Sequence, residues 1–196
     1  MSHTQFNKSV DVLVIGTGCG GLTAALTADI SNSSEVLIIE KSHLIGGTSA
    51  TSGGVIWIPE NHLAKNKGSK DSLTEAKEYL KATIPSTEFN EPLIDAYLDQ
   101  GPKMVKFLED NTDARYSSLE HYPDYFQDAP GVKLGNRALE PLPVSAETLK
   151  DDVDNLHPSG PQTIMFGRYC VNFEESHAFA TQSPGWLNLF IKIFFS

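Results

Sequence analysis

Apolar and polar positions follow two rhythms along this chain, and each predicts a different element. Val10-Asp11-Val12-Leu13-Val14-Ile15 is a short, nearly unbroken β-branched and aliphatic run, the pattern of a buried strand in a parallel sheet. Gly16-Thr17-Gly18-Cys19-Gly20-Gly21 stops it, and Leu22, Ala25 and Leu26 then recur at helical spacing as far as Ser31-Asn32-Ser33-Ser34. Glu35-Val36-Leu37-Ile38-Ile39-Glu40 restores the strand pattern. From Asp11 to Glu40 is 30 residues, the length of one strand–helix–strand crossover. Two helices are predicted next. Ser72 and Glu75 form a capping box ahead of Leu73, Ala76, Tyr79 and Leu80. Asn90 caps a second stripe of Leu93, Ile94, Tyr97, Leu98, Val105 and Leu108, which Gly101-Pro102 is expected to kink or split. Beyond Asn111 turn formers dominate, and the pattern predicts no regular structure for residues 121–162.

Composition narrows the partners. The chain has 196 residues, 40% apolar and 20% charged, enough for one or two domains with a real core. Fifteen Lys+Arg against 25 Asp+Glu give a net charge of −10, which argues against nucleic acid or an anionic membrane surface as a partner. Cys19 and Cys170 cannot build a disulfide framework, and no Cys/His cluster has metal-ligand spacing, so no metal is expected. Asp151-Asp152-Val153-Asp154 lacks the glycine and distal glutamate of a calcium loop and reads as a solvated acidic turn. Met1 to Ser9 lacks the apolar stretch of a signal peptide, and Trp186 to Phe195 is too short to span a bilayer. The expectation is a cytoplasmic α/β protein.

Gly16, Gly18 and Gly21 satisfy Gly-x-Gly-x-x-Gly between a strand and a helix. The first permits a tight turn, the second lets a pyrophosphate approach the backbone, and the third lets helix and strands pack closely. Phosphates would sit on the helix N-terminus, where free amides and the macrodipole favour anions by roughly 0.3–2 kcal/mol. Glu40 follows Gly21 by 19 positions, at the end of the second strand, where a carboxylate accepts hydrogen bonds from an adenosine ribose. Gly16, Gly18, Gly20, Gly21 and Glu40 are therefore candidate dinucleotide-binding residues. Cys19 stands where a thiolate is favoured, although a small residue filling a tight turn weighs more. A second stretch, Gly46-Gly47-Thr48-Ser49-Ala50-Thr51-Ser52-Gly53-Gly54, offers amides and hydroxyls to phosphate or ring heteroatoms. Its apolar flanks, Ile45 and Val55-Ile56-Trp57-Ile58, set it apart from a flexible surface loop.

These motifs resemble the fumarate reductase/succinate dehydrogenase flavoprotein superfamily, through the glycine fingerprint at 16–21, Glu40-Lys41 and Gly46-Gly47-Thr48-Ser49. The nearer resemblance is to the 3-oxosteroid (3-ketosteroid) 1-dehydrogenases, carried by Gly46 to Ala50, Ser52-Gly53-Gly54, Ile56-Trp57-Ile58-Pro59 and Tyr122-Pro123-Asp124-Tyr125. It implies a Rossmann-like FAD-binding domain over residues 1–111 (the first crossover and following helices) and the start of a loop-rich α+β substrate domain over 112–196. It implies FAD held by the glycines above together with Lys41, Thr48, Ser49, Ser52, Gly53 and Gly54. It also implies a steroid-like substrate that gives a hydride from carbon 1 to the flavin and a proton from carbon 2 to a tyrosine, with an electron acceptor still to be identified. Tyr125 matches the active-site tyrosine that supports the proton-abstracting one, which has no counterpart here. Without the resemblance, Tyr122, Tyr125 and Phe126 read as packing residues. Arg168, in a Gly-Arg turn, reads as structural, with a lesser chance of lining the flavin site. Members of that family are well over twice this length, and the chain stops on the apolar Ile191 to Phe195. The expectation is an N-terminal fragment that is inactive alone and holds FAD weakly or not at all. Two alternatives stay open: another fumarate reductase-like flavoprotein of the superfamily, reducing an activated alkene or desaturating a different ketone, and a non-catalytic nucleotide-binding module.

Overall fold

In a computed structural model the described residues are 8–31, 35–161, 164–167 and 169–195. The chain divides into two compact units, Met1–Gly53 with Val144–Gln162, and Gly54–Pro143 with Thr163–Ser196. Residues 111 and 112 both fall inside the second unit.

The first unit is built on the predicted crossover. Strand β1 (Val12–Ile15), helix α1 (Cys19–Ile30) and strand β2 (Val36–Ile39) follow in order, and β1 pairs with β2 in parallel with Val12 opposite Val36 and Ile15 opposite Ile39. The strands are less buried than their composition predicts. Val14 is buried, while Leu13, Ile15 and Ile39 are exposed, as are Leu22 and Leu26 of α1. A parallel pair covered by one helix has one protected face, and Ala25 is the α1 residue buried there. Short helix α2 (Gly47–Thr51) follows. A 3₁₀ segment, Ala146–Asn155, then returns to this unit. There the Ile45 amide donates to the Asn155 carbonyl (2.8 Å), and the His157 amide donates to the Ile45 carbonyl (2.8 Å).

The second unit mixes an antiparallel sheet with helices. Strand β3 (Ile56–Trp57) is followed by α3 (His62–Asn66), α4 (Leu73–Thr83), α5 (Glu91–Asn111), β4 (Tyr116–Ser118) and β5 (Ala138–Pro141). The strand order is β3-β5-β4, both pairs antiparallel. Hairpin β6 (Ile164–Met165)–β7 (Tyr169–Cys170) and helices α6 (Phe173–Thr181) and α7 (Trp186–Phe195) complete it. The core is Ile58, Val105 and Leu139, with Ile56, Leu63, Met104 and Tyr116 against it. Ser72 Oγ accepts from the Glu75 amide (3.2 Å) and Asn90 Oδ1 from the Leu93 amide (3.3 Å), but the reciprocal half of the expected box is replaced: the Ser72 amide donates to Asp71 Oδ1 (2.8 Å) and Glu75 Oε2 accepts from Ser72 Oγ (2.9 Å).

Two expectations are corrected. Helix α5 is not split, since it runs through Pro102 as one 21-residue element. Neighbouring Gly101 is buried against Ile58, so packing holds the turn where proline removes an amide. Residues 121–162 are not without regular structure, because β5 and the 3₁₀ segment lie within them. Arg168 lies outside the described residues. No described helix is long and apolar enough to cross a membrane.

Candidate functional site

In the first unit the two glycine segments meet. Gly16 turns the chain at φ +100°, and a Cβ on Gly21 would stand 2.1 Å from the Gly16 carbonyl oxygen, so helix and turn pack at a distance only glycine allows. Gly18 occupies the cap position of α1 and brings no side chain to its exposed amides. At Gly16 and Gly20 a Cβ would meet nothing within 4 Å, which leaves open space over the turn. The second segment closes one side. Gly46, left-handed at φ +100°, caps α2, and Ser49 Oγ of that helix accepts from the Cys19 amide (3.0 Å). Ser52 Oγ donates to the Ser49 carbonyl (3.1 Å), and the Gly46 amide donates to Thr17 Oγ1 (2.9 Å).

Glu40 is latched to this turn. Its Oε2 accepts from the Thr17 hydroxyl (2.6 Å) and the Thr17 amide (2.9 Å), while Oε1 accepts from the Ser42 amide (3.0 Å). The Thr17 hydroxyl first, and then the Ser42 and Thr17 amides, lower the Glu40 carboxyl from 4.5 to about 2. A lowered folded-state value means that the stabilisation is full above pH 4.5 and is lost as pH falls towards 2. We therefore expect the urea midpoint of the wild type to exceed that of Glu40→Gln at pH 6, the gap narrowing steadily below pH 4.5 and closing only as pH falls through about 2. A gap that stays constant across this range would contradict the latch.

Of the expected cofactor residues, Gly16, Gly18, Gly20, Gly21, Glu40, Gly46, Gly47, Thr48, Ser49 and Ser52 lie on the turn or on the loop that closes it. Lys41 follows β2 on an exposed stretch, and Gly53 is exposed at the end of the unit. Gly54 belongs to the second unit, where a Cβ would stand 2.8 Å from Pro141 Cγ. Its task there is close backbone approach.

Tyr125 lies in the second unit, beside a cavity of about 530 Å³. Val55, Trp57, Tyr79, Ile94 and Tyr97 line one part of it, and Tyr122 to Phe126 line another. Of the three expected packing residues, Tyr122 does pack, half-buried with its ring edge-on to that of Phe173 at 4.8 Å, whereas Tyr125 and Phe126 are corrected, at 80% and 60% exposed. The Tyr122 and Tyr125 hydroxyls are 3.2 Å apart. This hydrogen bond, followed by burial, pushes the Tyr122 phenol above its ordinary value.

Behind the wall stands a residue that the sequence reading missed. Arg137 is 1% exposed and forks onto Asp71, Nε to Oδ2 (3.0 Å) and Nη2 to Oδ1 (2.8 Å), while Nη1 reaches Asp124 Oδ2 (2.8 Å). Its guanidinium carbon lies 5.4 Å from the Trp57 ring centroid and 5.9 Å from that of Tyr79. The available signal was scarcity. The chain has three arginines, and a planar fork serves a buried bidentate site better than lysine does.

The family described as FAD binding domain matches residues 11–154. The 4-oxocyclohexanecarboxylate 2-dehydrogenase of Sinomonas cyclohexanicum is 41% identical over 163 residues, covering 83% of this chain and 28% of the relative. The 3-oxosteroid 1-dehydrogenase of Mycobacterium tuberculosis is 40% identical over 153 residues, covering 78% of this chain and 27% of the relative. The crystal structure of 3-ketosteroid delta1-dehydrogenase from Sterolibacterium denitrificans, in complex with 1,4-androstadiene-3,17-dione, superposes with a TM-score of 0.85 at 39% identity. It covers 93% of this chain and 32% of that one. The chain thus spans less than a third of the length of these relatives.

Proposed function

Given that the chain belongs to the FAD binding domain family, we propose that it supplies the adenosine-diphosphate cradle and a wall of the substrate pocket of an FAD-dependent 3-oxosteroid 1-dehydrogenase. The observation that carries this reading is the convergence of the Gly16–Gly21 turn, the Ser49 loop and the Glu40 latch on one helix end whose own cap residue, Gly18, brings no side chain. FAD fits that cradle: open space lies over Gly16 and Gly20, the amides at the start of α1 attract the diphosphate, and Glu40 faces the turn that the ribose would cross. When bound, FAD supplies the acceptor for the hydride that leaves the substrate.

The pocket supports a neutral, flat substrate. Its lining is mainly apolar, and its one charged residue, Asp124, is engaged by Arg137 and Trp57. Among the described residues no cation lines it. Tyr125 presents its hydroxyl to the proton-abstracting group, and Tyr122, held neutral, donates to the Tyr125 oxygen as that oxygen gains negative charge. The FAD-binding part is proposed to run through residue 111, with 112–196 in a substrate domain. Pocket residues come from both 55–97 and 122–138. The proposed setting is the cytoplasm.

The test is a titration of the ¹⁵N-labelled chain with FAD, ADP or FMN, followed by amide shifts. FAD and ADP are expected to move Gly18, Gly20 and Gly21 saturably, FMN is not, and Glu40→Ala is expected to weaken FAD at least about tenfold. Equal responses to FMN and ADP, or shifts that bypass the turn, would overturn the cofactor reading. Shifts at Trp57, Tyr122 and Phe126 with 4-androstene-3,17-dione test the pocket, and a flat response there would remove the steroid.

A further inference from the structure

Tyr125 combines two properties that seldom occur together: its side chain is among the most exposed of the large apolar ones described, and its backbone is clamped on both sides. On one side, the Asp124 amide donates to the Lys133 carbonyl (2.9 Å). The Asp124 carboxylate accepts from the Lys133 amide (2.9 Å), from Trp57 Nε1 (2.6 Å) and from Arg137 Nη1 (2.8 Å). On the other side, the Phe126 amide donates to the Tyr79 hydroxyl (3.1 Å). Trp57 and Tyr79 stack on each other at 5.9 Å, and both lie over the guanidinium of Arg137. Asp71 in turn is fixed by the Ser72 amide (2.8 Å) and the Glu60 amide (3.2 Å), so the fork that aims Arg137 is itself anchored at the start of α4. A loop tip with an exposed aromatic would ordinarily be mobile, and this one is tied at the residues before and after the tyrosine.

We infer that Arg137, which lies outside the pocket lining, is a positioning residue: it locks the Pro123-Asp124-Tyr125 turn to the Trp57–Tyr79 wall, so that the Tyr125 hydroxyl is held at the cavity before substrate arrives. The inference rests on the proposed reading for the meaning of the pocket, but not for the lock itself. Preorganisation of this kind places a reacting hydroxyl without ordering a loop at each turnover. Arginine suits the task because three directed donors fix an angle as well as a distance, whereas lysine offers a point charge.

The experiment measures amide hydrogen exchange residue by residue in the full chain, for the wild type, Arg137→Lys, Asp124→Asn and Trp57→Phe. A lock predicts that exchange at Phe126 rises at least about tenfold in Arg137→Lys and Asp124→Asn, and less in Trp57→Phe, while the α4 and α5 interiors keep wild-type rates. It also predicts loss of the nuclear Overhauser contact between the Phe126 amide and the Tyr79 ring. Exchange that rises uniformly through the unit, or not at all at Phe126, overturns the inference and leaves Arg137 a packing residue. Trp57→Phe deletes a single donor and keeps the ion pairs, so it still decides the matter if the other two variants unfold. Binding of 4-androstene-3,17-dione is measured on the same proteins. A wild type that ignores the steroid defeats the pocket reading, while the exchange pattern still judges the lock.

Discussion

Gly21→Ala is expected to abolish the cofactor cradle by distorting the fold, while Gly20→Ala, one residue away, is expected to leave the fold intact, although its methyl enters the space that FAD is proposed to fill. The contrast follows from what each new methyl would meet. At Gly21 it would stand 2.1 Å from the Gly16 carbonyl oxygen and 3.0 Å from its carbon, both backbone atoms of the turn itself. Relief requires α1 to move away from β1 or Gly16 to leave its left-handed turn, and either movement displaces the amides proposed to hold the diphosphate. Overpacking of this kind costs about 1–3 kcal/mol, and FAD shifts at the turn should vanish. At Gly20 nothing lies within 4 Å, and the residue is helical. Alanine there lowers the entropy lost on folding, so a gain of about 0.5–1 kcal/mol is expected. Urea unfolding paired with the FAD titration gives both signs. Equal urea stability of the two variants would mean that the close approach at Gly21 does not hold the turn.

The same contrast shows which parts of the molecule were legible in the sequence. The crossover, the Ser72 and Asn90 caps and the placing of Glu40 against the turn all follow from spacings of a few to 30 residues, where periodicity and backbone stereochemistry act locally. The solvation of the strands did not follow, because an apolar run does not reveal how many layers will cover it. Strand β5 was hidden by its own residues: Glu140 and Pro141 read as a turn, yet Leu139 is in the core and Glu140 is buried while accepting from the Phe173 amide (2.7 Å). Gly54 matched the cofactor motif by composition but answers to Pro141, 87 positions away. The Arg137 cluster joins residues 66 and 13 positions apart, and no local rhythm encodes such a meeting. Tyr125 was identified through resemblance alone. Its exposure shows why, since a side chain outside the core leaves no mark in the packing pattern.

Removing the charge of Arg137 is expected to have the largest effect on stability. In Arg137→Met the carboxylates of Asp71 and Asp124, whose side chains are 9% and 2% exposed, would face each other without a cation. Breaking a buried pair from one side costs about 3–5 kcal/mol, more than the pair itself contributes, because the remaining charge stays desolvated. The pH dependence should also change sign. In the wild type, burial pulls the Asp71 carboxyl upward, but the hydrogen bonds and charge of Arg137, with the Ser72 and Glu60 amides, carry it below 3.8. Its contribution is therefore present above that value and is lost as pH falls through the lower folded value. Without the guanidinium, burial and the neighbouring negative charge dominate and raise the folded Asp71 value, so acid should relieve the variant while it weakens the wild type. Urea unfolding at pH 8, 6 and 5 should then show the deficit of Arg137→Met shrinking as pH falls. Adding Asp71→Asn and Asp124→Asn should recover part of the loss at pH 8, since amides of the same shape carry no buried charge. A deficit independent of pH and untouched by the added asparagines would mean that the guanidinium serves the fold through its volume and its stacking on Trp57 and Tyr79, with its charge playing no part.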